Sequence, residues 1–293
     1  MISLFIQAMV DGILTGGIYA CVAVGLSLSY GVMRIFNWAQ GECLMGALYA
    51  AIFLVIGTSI NPYLAIIVIA PLMFLAGYVI EKWLFNPLIM REKVREPLSV
   101  LLTTAGLSFF LSNLATFLFT SNSLSVSTPY TGKTLQISNI FVSVPKLIAF
   151  ISVILVASAV QVFLYKTVLG RSLRATSQDR ETAQLMGMNN QHLYCLALGI
   201  GFACLGIAGC LMCPIYAVSP ATGNTFGFKS LVIVVLGGKG SVVGAIIGGI
   251  IIGIIESLGG ALLSPLYAQI IVFAVFAAVL FFKPNGLLTK DRG

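Results

Sequence analysis

Apolar residues fill this chain in blocks roughly 17 to 25 residues long, with polar residues collected into the gaps between them, so each block predicts a helix able to cross a hydrocarbon layer about 30 Å thick. Such blocks occupy residues 5–30, a run ending near Gly57, and residues 63–80, 98–120, 147–165, 193–212, 242–258 and 266–282. A further apolar piece, residues 226–236, is shorter and stops at a Gly-Gly pair. The expected fold is all-α. It is a polytopic membrane helix bundle with about eight full spans plus one short broken or re-entrant segment, forming a single transmembrane domain over residues 1–293.

The longest polar gap is residues 166–192. It carries Lys166, Arg171, Arg174 and Arg180 against Asp179 and Glu181, and excess Lys and Arg in a short loop marks the cytoplasmic side. Thr176 followed by Asp179 fits a capping box, Asp179 and Glu181 suit the positive end of a helix dipole, and Gly187 suits a C-terminal stop. A short helix outside the bilayer is expected here. Leu173, Ala183, Leu185 and Met186 give it apolar surface for its own bundle, for lipid headgroups or for a groove in a soluble partner, and an ordinary solvated loop is the plain alternative.

Charge then orients the chain. Arg34, the group Lys82, Arg91, Lys93 and Arg95, and the tail residues Lys283, Lys290 and Arg292 all fall on the side of the central loop if the N-terminus is outside and the C-terminus inside. Pro87 and Pro97 are expected to break the second of these groups as a helix. Of sixteen Lys and Arg, only Lys133, Lys146 and Lys229 lie away from that side. The net charge of +7 therefore follows from topology and does not call for nucleic acid. No Lys or Arg precedes Arg34, so the first apolar block lacks the basic start of a secretory signal and is expected to be a retained span.

Composition closes off other classes. With 59% hydrophobic residues, 9% charged and a mean hydropathy of +1.04, the chain departs far from soluble domains, which are about 25% charged. The six cysteines all sit in or beside apolar segments and are read as small hydrophobes, the Cys210–Cys213 pair included. His192 is the lone histidine, unaccompanied by a metal-ligand or nucleophile–base set, so an enzyme is not expected.

Several polar or small residues interrupt the spans. Gly12, Gly16, Ala20 and Val24 recur every four residues and predict a close helix crossing, while Asp11 lies near the outer end of that span. Asn37, Gln40 and Glu42 open the second span; an ionised Glu deep in a bilayer costs about 2.5–3.5 kcal/mol, so Glu42 is expected to face protein or water. These three read either as the lining of a solute path or as an interfacial helix start with local capping. Thr104, Ser108 and Ser112 form a stripe that suits interhelical hydrogen bonds or a substrate site. Residues 121–145 include the alternating TLQISNIFVSV, which predicts a small outer hairpin. Gly237, Gly238 and Gly240 read as a broken helix of the kind found along transport paths, and Gly240, Gly244, Gly248, Gly249 and Gly253 read alternatively as a close-packing face. Glu256 is a second acid within a span.

Three stretches resemble the branched-chain amino acid permeases of ATP-binding-cassette importers, the LivH/LivM family, and the likeness runs over nearly the whole chain. YGVMRIFNWAQGECLMGALYA is similar to a family pattern, with Gln40 where His is usual; GRSLRATSQDRETAQLMGMN resembles the coupling segment, with Thr182 in place of its middle Ala; VVLGGKGSVVGAIIGGIIIGIIES and the closing FFKPNGLL are similar to its glycine-rich stretch and Pro-x-Gly-Leu end. The resemblance implies that Asp179, Arg180, Glu181, Ala183, Met186 and Gly187 dock in a groove of an ATPase subunit. It also implies two cytoplasmic ATPase subunits, a second permease subunit identical or homologous to this one, an external solute-binding protein, and a bacterial cytoplasmic membrane. The solute would be a branched-chain amino acid, another amino acid, an amide or urea.

GGKGS lacks the order of a phosphate-cradling loop, so the chain is expected to hold no cofactor and to draw energy from ATP bound by partners or from an ion gradient. An ion-coupled carrier using Glu42 and Glu256, and a non-transporting anchor subunit, are the rival classes.

Overall fold

The computed structural model describes residues 2–58, 60–91, 98–128, 130–137, 140–283 and 286–287. The expectations placed on Lys93, Arg95, Pro97, Pro284, Lys290 and Arg292 lie outside the described residues. In chain order the elements are α1 (Ile2–Met33), α2 (Gln40–Thr58), α3 (Pro62–Ile80), α4 (Asn86–Arg91), α5 (Leu98–Phe119), β1 (Thr134–Ile137), β2 (Ile140–Ser143), α6 (Val144–Lys166), α7 (Val168–Gln178), α8 (Arg180–Leu185), α9 (Asn190–Met212), α10 (Pro220–Gly237), α11 (Val242–Leu262) and α12 (Pro265–Phe282). Among the described residues eight helices are long and apolar enough to cross a membrane: α1, α2, α3 with its continuation, α5, α6, α9, α11 and α12. The all-α polytopic bundle expected from the sequence is the fold.

Helices α1 and α9 form the enclosed centre, while α5 and α12 lie at the periphery and turn Phe109, Phe117, Leu266 and Phe281 outward. Apolar side chains gain little by packing on each other in lipid, so close approach depends on small residues. The four-residue stripe on α1 shows this: a methyl group on Gly16 would come within 2.5 Å of the Gly249 carbonyl oxygen, and one on Gly12 within 2.7 Å of Ile254 Cα. Backbone meets backbone along the α1–α11 crossing, as the spacing of Gly12, Gly16, Gly249 and Gly253 predicted. All six cysteines are free and buried, in keeping with their reading as packing residues.

Three expectations about element limits are corrected. Helix α3 does not end at a loop after residue 80; it continues through a π-helical turn, Glu81–Phe85, into α4. That wider turn bonds the Asn86 amide back to Glu81, and it makes room for Pro87, whose ring and missing N–H would break a regular turn. The piece read as residues 226–236 is an 18-residue helix, α10, that begins at Pro220; Ser219 and Thr222 close a capping box ahead of it. The polar segment is two helices, not one. Thr176 is buried inside α7, and Asp179 alone caps α8, accepting from the Glu181 amide at 3.0 Å and the Thr182 amide at 3.3 Å.

Loops gather at two ends of the bundle. At one, Arg34 Nη2 donates to the Ser177 carbonyl at 3.1 Å, Lys239 Nζ lies 5.7 Å from the Phe36 ring centroid, and the Leu287 amide bonds the Leu236 carbonyl. At the other, β1 and β2 form the antiparallel hairpin predicted from TLQISNIFVSV, with Thr134 opposite Ser143 and Ile137 opposite Ile140. Gln7 clamps this hairpin to the start of α1, donating to the Phe141 carbonyl and accepting from its amide. Here also Lys146 pairs with Asp11 at 2.7 Å, which accounts for one of the lysines away from the basic end.

Candidate functional site

Glu42 is the first acid of α2 and is 4% exposed. Its Oε1 accepts from Ser108 Oγ of α5 at 3.4 Å, so the polar stripe on α5 supplies an interhelical bond to the acid. Its Oε2 lies against Gly223 of α10, where a Cβ would overlap it, and has no hydrogen-bond partner among the described residues. Helices α2 and α10 come this close because Gly41 faces Gly223 and Gly227; a methyl on Gly41 would fall 2.6 Å from Gly227 Cα. Between them lies a cleft of about 40 Å³ lined by Asn37, Trp38, Glu42, Ser108, Asn224 and Phe228 among others. That volume admits a few waters and no larger guest. Trp38 and Phe228 meet edge to face at its rim, centroids 6.3 Å apart.

The structure brings Asn37 and Glu42 together and sends Gln40 elsewhere. Asn37 Oδ1 accepts the Ala39 amide at 3.0 Å, so Asn37, not Gln40 or Glu42, shapes the entry to α2. Gln40 is 1% exposed, with both polar atoms of its amide lacking a partner among the described residues, and it lies beside Gly25 of α1 where α1 crosses α9 at Gly201. The glycine candidates stand apart again. Gly237 packs on Gly244, Gly238 ends α10 with φ 106°, and Gly240, with φ 84°, packs on Gly31 of α1. They build the tight turn from α10 to α11 at the basic end. Residues missed as cleft formers are Gly41, Gly223, Asn224, Gly227 and Phe228; the four-residue spacing of Gly223 and Gly227 carried the signal.

The polar segment forms the second candidate. Ala183 is buried and anchors α8, while Asp179, Glu181, Met186 and Gly187 are exposed. Gly187 takes φ 82° and closes the helix, its amide bonding the Gln184 carbonyl and the Met188 amide bonding the Ala183 carbonyl. Arg180 Nη2 donates to the Met33 carbonyl at the end of α1 at 2.8 Å, its guanidinium lies 5.9 Å from the Tyr194 ring centroid on α9, and its carbonyl accepts from Asn190 Nδ2 at 2.9 Å. Helix α7 holds on separately: Arg174 Nε donates to the Leu164 carbonyl, and its guanidinium stacks over Tyr165 at 4.2 Å. The lone histidine, His192, sits at the start of α9 with Nδ1 3.2 Å from the Tyr78 hydroxyl. No cluster of three metal-ligating side chains occurs among the described residues.

Comparison with known proteins places the chain. No solved structure matches it. It is 31% identical to the high-affinity branched-chain amino acid transport system permease protein LivH of Escherichia coli, over 98% of this chain and 96% of that protein. It is 28% identical to the corresponding permease protein BraD of Pseudomonas aeruginosa, over 98% and 97%, and 29% identical to a probable LivH of Methanocaldococcus jannaschii, over 95% and 91%. The model of the branched-chain amino acid transport system permease component matches residues 8–280. With that match spanning nearly every element from α1 to α12, the chain belongs to the family of branched-chain amino acid transport permeases.

Proposed function

We propose that this chain is the membrane-spanning subunit of an ATP-binding-cassette importer that carries branched-chain amino acids across the bacterial cytoplasmic membrane, with its N-terminus outside and its C-terminus inside. The observation that carries the ATP-coupled part of this reading is the way α8 is held. Leu185 and Met186 stand outward, 87% and 76% exposed, while Arg180 on the same short helix grips the ends of α1 and α9. Exposed apolar side chains on a segment beyond the spans suit a groove in a soluble partner.

In this reading two cytoplasmic ATPase subunits take up α8, one under this chain and one under a second permease subunit. ATP is held and hydrolysed by those partners, and this chain holds no cofactor. When the ATPase subunits close, α8 moves, and Arg180 passes the displacement to α1 and α9, the two most enclosed helices. Helix α2 packs on α9 and α10, so the cleft at Asn37 and Glu42 widens or narrows with them. The α10–α11 turn at Gly237, Gly238 and Gly240 packs on α1 at Gly31 on the same side and moves with it. An external solute-binding protein docks at the hairpin end and delivers solute. Each ligand must favour one state of the bundle, or no net movement follows.

The test is purification of the intact chain from membranes beside Leu185→Glu and Met186→Glu variants, with bound ATPase identified and leucine uptake measured in vesicles. Co-purification with the intact chain, its loss in variants that still insert, and uptake that needs internal ATP are expected. Uptake that proceeds without ATP and collapses with a proton or sodium gradient overturns the reading in favour of an ion-coupled carrier centred on Glu42.

A further inference from the structure

Away from the Glu42 cleft, Lys229 of α10 and Glu256 of α11 form an ion pair of 2.6 Å with side chains 17% and 26% exposed. They line a separate cleft of about 210 Å³ between α10, α11 and α12. Lys229 Nζ also donates to the Tyr19 hydroxyl of α1 at 3.2 Å and lies 4.7 Å from that ring's centroid, which fixes the ammonium in place. Glu256 Oε1 takes the lysine, while its Oε2 is buried and has no hydrogen-bond partner among the described residues. Asn224 and Gln269 add polar groups to the same walls, and Val232, Val272, Phe228 and Phe273 supply an apolar one.

A pair of this kind is a costly way to join two helices. Charges inside a membrane protein are expensive, and apolar residues of similar volume often replace a buried pair with no loss of stability. What the pair offers, and apolar residues do not, is a positive and a negative group side by side in front of a small greasy pocket. A free amino acid carries the matching charges and an apolar side chain on one carbon. We infer that the Lys229–Glu256 pair recognises the α-carboxylate and α-ammonium of a branched-chain amino acid within the membrane-spanning region. Lys229 faces the carboxylate, the Glu256 carboxylate faces the ammonium, and the Val and Phe wall takes the side chain. Asn224 and Phe228 line both clefts, so this site and the Glu42 cleft lie on adjoining faces of α10. The inference rests on the amino-acid importer reading above.

The experiment uses the full chain in phosphatidylcholine nanodiscs, whose headgroups carry no primary ammonium to compete. Saturation-transfer NMR is recorded with L-leucine, with 4-methylpentanoate, which lacks the ammonium, and with 3-methylbutylamine, which lacks the carboxylate. Loss of one charged hydrogen bond is expected to weaken either analogue about tenfold against leucine. Glu256→Gln should then bring 4-methylpentanoate level with leucine, and Lys229→Met should do the same for 3-methylbutylamine. A Lys229→Glu, Glu256→Lys double variant keeps an ion pair between α10 and α11, so it should still elute as a folded protein yet lose the leucine signal about tenfold. Full leucine binding by that double variant, or unchanged discrimination in the single variants, reduces the pair to a structural tie and overturns the inference. If the parent binds none of the three probes while cells carrying it still take up leucine, the site is wrong and the importer reading stands. If uptake is absent as well, both fall.

Discussion

Arg180 reaches from the first turn of α8 to the last turn of α1, its Nη2 donating to the Met33 carbonyl at 2.8 Å. The last carbonyls of a helix have no partner within it, so a cation placed there satisfies an open acceptor and the negative end of the helix dipole together. Lysine at this position would keep the charge but lose the planar fork that also lies against Tyr194. Arg180→Ala is expected to leave insertion intact and to lower uptake about tenfold, the equivalent of roughly 1.4 kcal/mol of lost coupling. Arg180→Lys should fall between. ATP hydrolysis by the purified assembly, measured beside uptake, checks this: hydrolysis that continues while uptake drops shows lost coupling, and parallel loss of both points to lost assembly.

The two ends of α8 depend on different chemistry. Asp179 caps it through its side chain, and Gly187 closes it with φ 82°, a conformation that costs L-residues about 1–2 kcal/mol. Asp179→Ala should destabilise the helix by about 0.5–2 kcal/mol, and Asp179→Asn, which still accepts a hydrogen bond, should lose less. Gly187→Ala should approach the alanine cap variant in effect. Amide hydrogen exchange over residues 180–188 is the readout, with faster exchange expected in that order and no change in α9.

Glycines with and without neighbours separate packing from composition. On α1, Gly16 faces backbone of α11 at a distance no side chain can enter, whereas Gly106 of α5 has nothing within 4 Å of where a Cβ would stand. Gly16→Val is expected to exceed the 1–3 kcal/mol typical of overpacking, because the obstructing atoms are backbone, and to abolish the folded fraction in detergent. Gly106→Ala should be neutral within about 0.5 kcal/mol. Size-exclusion profiles and melting curves of the two variants decide it.

Which parts of this structure could be read from sequence follows from the range of each interaction. Spans depend on local apolar length, so the eight long helices were legible, and so was the α1 glycine face with its four-residue spacing. The hairpin showed in strict alternation. The division between Gln40 and Glu42 was also there to read: residues two apart on a helix do not share a face, so treating Asn37, Gln40 and Glu42 as one lining overlooked the geometry. Starting the short segment at Phe226 cut Gly223 away from Gly227 and hid the crossing that seats Glu42. Lys229 and Glu256 lie 27 residues apart on separate helices, and their pairing depends on how α10 packs against α11, which no local pattern reports.

The Glu42–Gly223 contact yields the most specific prediction. A methyl group at Gly223 would overlap Glu42 Oε2 and press on Glu42 Cα, so Gly223→Ala forces the carboxylate from its place or parts α2 from α10. Uptake should be nearly lost in Gly223→Ala. If displacement of the carboxylate is the cause, Glu42→Ala by itself should be as harmful, and adding it to Gly223→Ala should cost nothing more. If separation of the helices is the cause, Glu42→Ala alone should be milder, and combining the two should recover part of the uptake, since the smaller side chain removes the clash. A double-mutant cycle on uptake and on melting temperature distinguishes these cases, because residues in contact show coupling of about 0.5–3 kcal/mol and independent ones add. Simple additivity in both measurements would mean that the two residues do not meet, and the seat of Glu42 on α10 would have to be abandoned.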